Sequence, residues 1–179
     1  MSGKKRFSFK DIEVYSIEKA LQESINLSDF RCEKPIFADY LRTIAVEDDR
    51  NNVAKVWLFV THDKQVAGYV TLIMSQLTRT YHPRLSRSTS HRYVPGILIS
   101  EMATHMDYTG MGLGKLMIEW VISVAFDLAR YVACRVIIVE SEPDKTEVYR
   151  HWGFEPIEDF EEKRYTMFLE IPLYSTEIL

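Results

Sequence analysis

The sequence predicts a mixed α/β fold, in which one sheet carries helices on both faces. Two apolar, β-branched runs, 56–60 and 66–74, lie close enough in the chain to form an antiparallel hairpin. Further along, an apolar strand over 96–104 leads into a long amphipathic helix over 112–129 and then into a buried strand over 133–140. A hairpin followed by a strand–helix–strand crossover indicates a mixed sheet.

Turn and cap residues predict the other elements. Pro35 fits the opening of a helix, because the first helical N–H group has no partner to lose. Ser141 is suited to cap a helix, Pro143 suits its first turn, and Gly153 suits its C-terminal end. In chain order we expect strand 12–17, helix 17–25, a helix from Pro35 through about Val46, a hairpin turn at Asp63-Lys64, irregular structure over 78–93, helix 143–151 and a last strand over 164–171.

Length and composition indicate a single globular domain over residues 1–179. Of the 179 residues, 46% are hydrophobic and 12% are aromatic, which suits a chain that buries a core. No apolar run approaches the ~20 residues of a membrane span, and the N-terminus lacks the apolar region of a secretory signal. Cys32 and Cys134 fit a reducing cytosol, and the five histidines show no metal-ligand spacing. We therefore expect a cytoplasmic protein without a metal.

A glycine-rich turn precedes the long helix. Gly110, Gly112 and Gly114 alternate with apolar residues directly before the helical pattern begins. A turn of this kind presents unpaired backbone N–H groups and the positive end of the helix dipole, which suits a phosphate. Neither the phosphate loop GxxxxGK[ST] nor the dinucleotide fingerprint GxGxxG fits, because Thr109 and Lys115 stand where glycines are needed.

The turn resembles the acyl-CoA pyrophosphate loop of the GNAT acetyltransferase superfamily, usually Gln/Arg-x-x-Gly-x-Gly/Ala. The six places are filled by Thr109, Gly110, Met111, Gly112, Leu113 and Gly114. Thr109 departs from the Gln/Arg of the pattern but leaves the backbone cradle intact. A second motif of the superfamily, a tyrosine, three residues and then Gly-Phe, is matched by Tyr149, Gly153 and Phe154. The resemblance implies a central mixed, mostly antiparallel sheet flanked by helices, and an enzyme that uses acetyl-CoA as co-substrate and needs no metal.

The resemblance also implies roles for particular residues. The backbone of Met102, Ala103 and Thr104 would pair with the pantetheine arm as an added strand does. The N–H groups from Met111 to Lys115 would hold the pyrophosphate, and the Lys115 side chain either adds a positive charge or is an ordinary solvated lysine. Tyr149 would act as the general acid for the thiolate leaving group, since a phenol is protonated at neutral pH. A tyrosine packed on the apolar side of its helix is the alternative.

Glu101 is the candidate general base. It is the single carboxylate within an otherwise apolar strand, where burial would raise its pKa. Strand alternation leaves its facing open, because Ser100 and Met102 point to one side and Glu101 to the other. A structural carboxylate, with a chain of water molecules as the base, is an equally acceptable interpretation.

The first half of the chain resembles one subgroup more closely, the GNAT-type toxins of bacterial toxin–antitoxin pairs. Residues 28–32, 38–45 and 66–72 look like the Phe-x-Cys-Gly turn, the helix and the Val-x-Gly-Tyr strand of those toxins. The toxins acetylate the amino group of aminoacyl-tRNA. Glu33 stands in place of the glycine after the cysteine, and Glu101 stands where those toxins often carry an arginine.

Charge is distributed unevenly along the chain, although the formal net charge is −4. Residues 64–100 contain no Asp or Glu but hold four arginines: Arg79, Arg84, Arg87 and Arg92. A solvated surface is the commoner interpretation of such a run. An anion-facing patch for substrate, RNA or CoA phosphates is the other, although a net negative charge is unfavourable for a tRNA binder.

Three functions therefore remain open at the level of sequence. The first is an acetyl-CoA-dependent N-acetyltransferase for a small-molecule or peptide amine, with direct attack and Tyr149 as general acid. The second is a toxin that acetylates aminoacyl-tRNA and is neutralised by an antitoxin. The third is a non-catalytic, acyl-CoA-binding regulatory module, against which an intact Tyr149 argues. The partners left open are the amine, tRNA, an antitoxin and a second copy of the chain in a homodimer; no membrane is expected.

Overall fold

The computed structural model describes residues 6–157 and 165–172, and this part of the chain contains seven strands and six helices. The strands are β1 (Ile12–Ser16), β2 (Lys55–Thr61), β3 (Val66–Thr78), β4 (Tyr93–Thr104), β5 (Val136–Ser141), β6 (Glu155–Pro156) and β7 (Tyr165–Glu170). The helices are α1 (Ile17–Gln22), α2 (Pro35–Thr43), α3 (Ala45–Arg50), α4 (Pro83–Ser88), α5 (Leu113–Leu128) and α6 (Thr146–His151).

The strands form one sheet in the order β1-β2-β3-β4-β5-β7-β6. The pairs β1–β2, β2–β3, β5–β7 and β6–β7 are antiparallel. Lys64 has a φ of 64° in the turn between β2 and β3, which confirms the hairpin. The mostly antiparallel sheet flanked by helices confirms the predicted fold class.

The first compact unit consists of the chain up to Ile73 together with Ile99–Trp120. Its core lies between the first three strands and helices α1 to α3, and includes the fully buried Tyr69 and Phe30 with their rings 5.5 Å apart. Trp120 of α5 packs against Trp57 of β2, with ring centroids 5.1 Å apart. This unit carries the glycine turn and Glu101.

The second compact unit consists of Met74–Leu98 and of the chain from Val121 onward. Its buried residues include Leu85, Val136 and Phe168, which come from α4, β5 and β7. The N–H group of Arg135 donates to the carbonyl oxygen of Pro95 (2.8 Å), so the entry to β5 is bonded to the start of β4. This unit carries the arginine-rich segment and Tyr149.

The expectation of irregular structure over 78–93 is wrong. A 3₁₀ turn over Arg79–Tyr81 is followed by α4. Pro83 opens this helix, and the His82 imidazole accepts a hydrogen bond from the N–H group of Arg84 (3.2 Å). Leu85 is the buried residue of α4 and has no exposed surface, so a single apolar anchor holds a helix that is otherwise polar and basic.

Several helix boundaries also differ from the prediction, and α1 ends at Gln22 instead of at residue 25. The helix that opens at Pro35 ends at Thr43, and Ile44, with a φ of −117°, separates it from α3. Ser141 is not a helix cap, because it ends β5 and its hydroxyl donates to the Glu142 carbonyl oxygen (2.9 Å). Helix α6 therefore begins three residues after Pro143, at Thr146. The predicted last strand is found over Tyr165–Glu170, and its first predicted residue, 164, lies outside the described residues.

Within residues 6–157 and 165–172, every helix is too short or too polar to cross a membrane.

Candidate active site

The glycine turn starts where β4 stops. The N–H group of His105 donates to the carbonyl oxygen of Ala67 on β3 (2.8 Å), and the next residue, Met106, donates to Arg31 (2.9 Å). The His105 imidazole caps a 3₁₀ turn by accepting from the N–H group of Asp107 (3.2 Å). These bonds direct the chain out of the sheet and toward α5.

Gly110 and Gly112 both adopt left-handed backbone conformations, with φ values of 79° and 83°. Residues that carry a side chain rarely adopt such angles. A Cβ atom built on either glycine would meet no other atom within 4 Å. The space beside the turn is therefore open, and the backbone can be approached closely by a ligand.

Helix α5 begins with unbonded N–H groups. Leu116 donates to the carbonyl oxygen of Gly112 (3.3 Å), and Met111 donates to that of Tyr108 (3.3 Å). Between them, the N–H groups of Gly112, Leu113, Gly114 and Lys115 donate to no acceptor in the described part of the chain. Free N–H groups at the positive end of a 16-residue helix form a cradle that fits a pyrophosphate.

The side chains of Lys115 and Thr109 in this turn already have partners within the chain. Lys115 is two-thirds exposed and lies 3.5 Å from Glu119 in an i,i+4 ion pair. The Thr109 hydroxyl donates to the carbonyl oxygen of His105 (3.4 Å), a local contact that does not replace a long Gln or Arg side chain.

Strand alternation determines which backbone groups at the end of β4 face away from β3. The N–H group of His105 and the carbonyl group of Ala103 both face β3; a Cβ atom on Gly68 of β3 would lie 2.9 Å from the Ala103 oxygen. Backbone groups of successive residues point to opposite edges of a strand. The polar groups of Met102 and Thr104 therefore point away from β3, and those of Ala103 point toward it.

Glu101 points toward α2 and α3. Its carboxylate accepts a hydrogen bond from the Ser100 hydroxyl (2.5 Å) and interacts with Thr71, Tyr40 and Asp48. Burial raises the pKa of the Glu101 carboxyl, and the negative charge of Asp48 raises it further, whereas the hydrogen bond from Ser100 lowers it. A carboxyl group with a raised pKa in a polar, half-buried setting suits a general base.

The spacing of Tyr149, Gly153 and Phe154 has a local physical cause. Gly153 has a φ of 91° and donates to the Arg150 carbonyl oxygen (2.9 Å), while Phe154 donates to that of Tyr149 (3.0 Å). This pair of bonds is the Schellman motif that ends helices, with glycine in the left-handed position. The motif also brings the residue after the glycine against the residue five positions earlier, and the Phe154 and Tyr149 rings lie 5.5 Å apart.

The Tyr149 ring is held between two aromatic neighbours. Phe154 and Trp152 both meet it edge to face, with the Trp152 ring centroid at 5.6 Å. Burial raises the pKa of Tyr149 to about 12. Within the described residues the phenol oxygen has no hydrogen-bond partner, so its proton is available to a ligand.

The four arginines between residues 64 and 100 differ in their contacts. Arg84 pairs with the carboxylate of Glu155 and lies 3.7 Å from that of Glu170, so its charge is neutralised within the fold. Arg79 donates to the Thr89 carbonyl oxygen. Arg92 lies over the Tyr93 ring at 5.1 Å and is exposed, as is Arg87, which has no partner in the described residues. Arg87 and Arg92 are thus the two arginines of the segment that can meet an external anion.

The predicted site residues divide between the two units. The glycine turn, Met102–Thr104 and Glu101 belong to the first unit, and Tyr149 belongs to the second. The sequence did not indicate Thr71, Tyr40 or Asp48 as neighbours of Glu101, since each lies at least 30 positions away in the chain. The helical spacing of α2 was the available signal, but it does not report which strand residue a helix faces.

A strand that ends in a glycine turn and opens onto the free N–H groups of a long helix defines an anion-binding site. The chain belongs to the acetyltransferase (GNAT) family, whose model matches residues 19–154. This match confirms the family predicted from the two motifs.

Solved structures of bacterial toxins share this fold. AtaT complexed with acetyl-methionyl-tRNAfMet aligns with a TM-score of 0.79 at 20% identity, over 89% of this chain and 95% of that one. A tyrosine-to-phenylalanine mutant of KacT aligns with a TM-score of 0.80 at 17% identity, over 90% and 95%. AtaTR bound with acetyl-CoA aligns with a TM-score of 0.73 at 20% identity, over 90% and 94%.

The raised pKa of Glu101 has a consequence for stability. A carboxyl group whose pKa is higher in the folded state than in the unfolded state stabilises the fold at low pH and loses that contribution as the pH rises through the folded-state pKa. We expect Glu101→Gln to raise the melting temperature near neutral pH, because the amide carries no charge that burial would penalise. The difference should shrink as the pH falls toward the ordinary glutamate pKa of 4.5.

Thermal unfolding followed by circular dichroism between about pH 4 and pH 8 measures this difference. Glu47→Gln is the matched control, since it makes the same chemical change at an exposed position. If the difference in melting temperature between Glu101→Gln and the wild type stays constant across this pH range, the pKa of the Glu101 carboxyl is not raised.

Proposed function

We propose that this chain is an acetyl-CoA-dependent N-acetyltransferase that acetylates a primary amine by direct attack. The run of free N–H groups from Gly112 to Lys115, beside glycines that leave the turn open, is the observation that carries the proposal. Such a cradle suits one chemical kind of ligand, a pyrophosphate or a similar anion. Acetyl-CoA supplies an activated acetyl group on a carrier that contains this pyrophosphate.

The binding surface proposed for acetyl-CoA is mostly backbone. The N–H groups of Gly112 to Lys115 would hold the pyrophosphate, and Met102 and Thr104 would pair with the pantetheine arm along the edge of β4 that faces away from β3. Backbone recognition explains why Thr109 can replace the usual Gln or Arg of the motif. Lys115 would add a weak, solvent-screened charge, because it is exposed and already paired with Glu119.

Acetyl transfer moves two protons, and two residues of the chain are suited to them. The amine must lose a proton as its nitrogen forms the new C–N bond, and the Glu101 carboxylate would accept it. The C–S bond breaks at the same carbonyl carbon, and the Tyr149 phenol would give its proton to the departing sulfur. Burial favours both roles, since it raises the basicity of Glu101 and keeps Tyr149 protonated at neutral pH.

We further propose that residues 1–179 act as one acetyltransferase domain, since the matched region, 19–154, draws on both units. A regulatory module that binds acyl-CoA without turnover has no need for a free phenol. The unpartnered Tyr149 hydroxyl therefore favours the enzyme over the module.

For the acceptor we propose the amino group of an aminoacyl-tRNA, with a small-molecule or peptide amine as the alternative. The likeness to AtaT, whose structure is a complex with acetyl-methionyl-tRNAfMet, over 89% of this chain and 95% of that chain supports the tRNA acceptor. The exposed side chains of Arg87, Arg92, Tyr81 and Tyr93 give it a second support, because cations interleaved with aromatic rings suit nucleic acid. An antitoxin would be the protein partner of such an enzyme.

Binding of acetyl-CoA should stabilise the folded chain. At a concentration 100 times the dissociation constant, a native-state ligand adds about 2.7 kcal/mol, which corresponds to a rise in melting temperature of roughly 5–10 °C. Gly112→Val should abolish the rise, because a branched side chain both strains the left-handed turn and holds the pyrophosphate off the backbone. Differential scanning fluorimetry measures the shift.

Asn52→Val is the matched control for this experiment. Asn52 is exposed and has a φ of 55°, so valine there imposes a comparable backbone strain outside the glycine turn. The control should lose stability without acetyl-CoA and keep the shift with it. Absence of a shift for the wild-type protein at millimolar acetyl-CoA, a generous excess for most enzymes, would contradict the proposal.

Tyr149→Phe should lower turnover by roughly 10²–10⁴ while leaving acetyl-CoA affinity unchanged. Because the pKa of Tyr149 is about 12, the phenol stays protonated from neutral pH up to pH 10.0, the ordinary pKa of tyrosine. Its deprotonation should therefore cause no loss of activity in that range. Thiol release at saturating substrates measures turnover. Tyr131→Phe, which removes a phenol that is 86% exposed, should behave as wild type, and equal turnover of both variants would return Tyr149 to a packing role.

The tRNA acceptor makes a prediction that separates the arginines. Arg87→Ala and Arg92→Ala should each weaken tRNA binding and lower the slope of log affinity against log salt by about one unit. Arg84→Ala should leave that slope unchanged and reduce stability instead, because Arg84 is paired with Glu155. Filter binding at several salt concentrations gives the slopes.

Expression in bacteria supplies a second measurement for the same acceptor. A tRNA-directed enzyme should arrest growth, and Tyr149→Phe should relieve the arrest. Normal growth, together with salt-insensitive turnover on polyamines, aminoglycosides or peptides, would establish the small-amine acceptor in its place.

A further inference from the structure

His105 is the one histidine whose ring the fold buries. All five histidines lie in the described part of the chain, and His105 is 8% exposed, whereas the other four are more exposed. It stands between the end of β4 and the 3₁₀ turn that leads into the glycine turn. A buried polar ring costs free energy unless its polar atoms are hydrogen-bonded, so both nitrogens of His105 need partners.

Both ring nitrogens of His105 have a partner. Nδ1 lies 3.2 Å from the N–H group of Asp107. Because a backbone N–H group can only donate, Nδ1 is the acceptor and carries no proton. In a neutral imidazole the other nitrogen then carries the proton, so the Nε2–H group donates to the carbonyl oxygen of Asp29, 3.3 Å away. The ring therefore bonds to the 3₁₀ turn on one side and to a loop 76 positions earlier in the chain on the other.

The loop that contains Asp29 is held in place by contacts of its own. The Asn26 side chain accepts a hydrogen bond from the N–H group of Ser28 (2.9 Å) and donates one to the Asp29 carboxylate (2.8 Å). The next residue, Phe30, is 1% exposed, and its ring meets the His105 ring edge to face with centroids 5.6 Å apart. The Nε2–H group of His105 is thus bonded to a loop that is fixed by local bonds and by the core.

On its other side, His105 is connected to the glycine turn through a series of backbone bonds. Its carbonyl oxygen accepts from the N–H group of Tyr108 (2.9 Å), and the Tyr108 carbonyl oxygen accepts from that of Met111 (3.3 Å). The free N–H groups begin at the next residue, Gly112. A displacement of the 3₁₀ turn would therefore displace the N–H groups proposed to hold the pyrophosphate.

Gly110 and Gly112 make the turn dependent on such restraints. Glycine loses more conformational freedom on ordering than any other residue. A Cβ atom at either position would meet no atom within 4 Å, so no neighbour packs against these two residues on that side. A turn that is already ordered before its ligand arrives loses less free energy on binding.

We propose that the His105 imidazole is a positioning residue for acetyl-CoA, which preorganises the glycine turn by bonding it to the loop over residues 26–30. This inference rests on the proposed function, in which the turn holds the pyrophosphate. His105 would act through the turn and not on the reacting atoms. Its loss should therefore weaken the affinity for acetyl-CoA and leave the rate of acetyl transfer at saturation unchanged.

The His105 ring has one further polar neighbour, the Asp107 carboxylate. This carboxylate lies 3.7 Å from Nδ1 and is 71% exposed. The distance is longer than a hydrogen bond, and an ion pair would need a proton on Nδ1, which the N–H group of Asp107 opposes. Asp107→Asn keeps this N–H group and removes the charge, so it is the matched control for an effect of charge.

Three substitutions of His105 separate its two bonds. His105→Leu removes both. His105→Asn places an amide near Nδ1 and keeps the cap, since asparagine is favoured at such positions, but its side chain is too short to reach Asp29. His105→Gln places an amide near Nε2, where it can donate to Asp29, and removes the cap.

Isothermal titration calorimetry with acetyl-CoA measures the affinity of each variant at about 15 °C, near the temperature at which domains are most stable. His105→Asn and His105→Gln should each weaken binding about fivefold and His105→Leu about 25-fold, as expected for the loss of one and of two hydrogen bonds. Asp107→Asn should match the wild type. The kcat for acetylation of methionyl-tRNA or spermidine at saturating acetyl-CoA should stay within about twofold of the wild type in all four variants.

The proposal requires both bonds of the ring. Wild-type affinity in His105→Asn would overturn the bond to Asp29, wild-type affinity in His105→Gln would overturn the cap, and either result would overturn the proposal. A fall in kcat with unchanged affinity, or a loss of affinity in Asp107→Asn equal to that in His105→Leu, would overturn it as well.

A wild-type protein that does not bind acetyl-CoA would contradict the proposed function instead. In that case, hydrogen exchange in the free protein decides the inference, measured at the bonded amides of Tyr108 and Met111. Their exchange should be faster in His105→Leu than in the wild type and unchanged in Asp107→Asn. Unchanged exchange in His105→Leu would overturn the inference; if circular dichroism shows that this variant does not fold, His105→Asn and His105→Gln are compared in the same way.

Discussion

The hydrogen bond from the His105 N–H group to the Ala67 carbonyl oxygen positions the start of the glycine turn. It bonds the residue that follows β4 to β3, at the point where the chain leaves the sheet for the glycine turn. The bonds of Met106 to Arg31 and of Phe7 to Met111 tie the next turn to the same unit. The free N–H groups of α5 can point at an anion because the turn that precedes them is held at both ends.

Burial has opposite chemical consequences for the two ionisable residues proposed for acetyl transfer. A buried carboxyl becomes a stronger base, and a buried phenol becomes a weaker acid that stays protonated. Glu101 and Tyr149 are each desolvated by burial. Polar contacts distinguish them, since Glu101 has hydroxyl neighbours while the Tyr149 phenol has no partner in the described residues. The two groups therefore differ in their surroundings, since in the described part of the chain the Glu101 carboxyl is hydrogen-bonded within the protein and the Tyr149 phenol is not.

Local patterns in the sequence predicted the parts of the site that depend on local hydrogen bonds. The Tyr149–Gly153–Phe154 spacing is closed by bonds between residues at most five positions apart, and the glycine turn contains local bonds such as that from Met111 to Tyr108. The neighbours of Glu101 could not be predicted in the same way, because Tyr40 and Thr71 meet it through tertiary packing. Helix α4 was missed for a related reason: one buried residue, Leu85, anchors it, and one apolar side chain gives no periodicity.

Net charge was a poor guide to the electrostatics of the arginine-rich segment. The formal charge of −4 covers the whole chain, whereas screening limits each charge to about 8–10 Å at ordinary ionic strength. Carboxylates of Glu155 and Glu170 are used internally to neutralise Arg84. No Asp or Glu lies within 21 positions before or 8 positions after the exposed Arg87 and Arg92 in the chain. An acidic chain can therefore present a locally basic surface, and the net charge that weighed against a nucleic-acid acceptor does not decide the question.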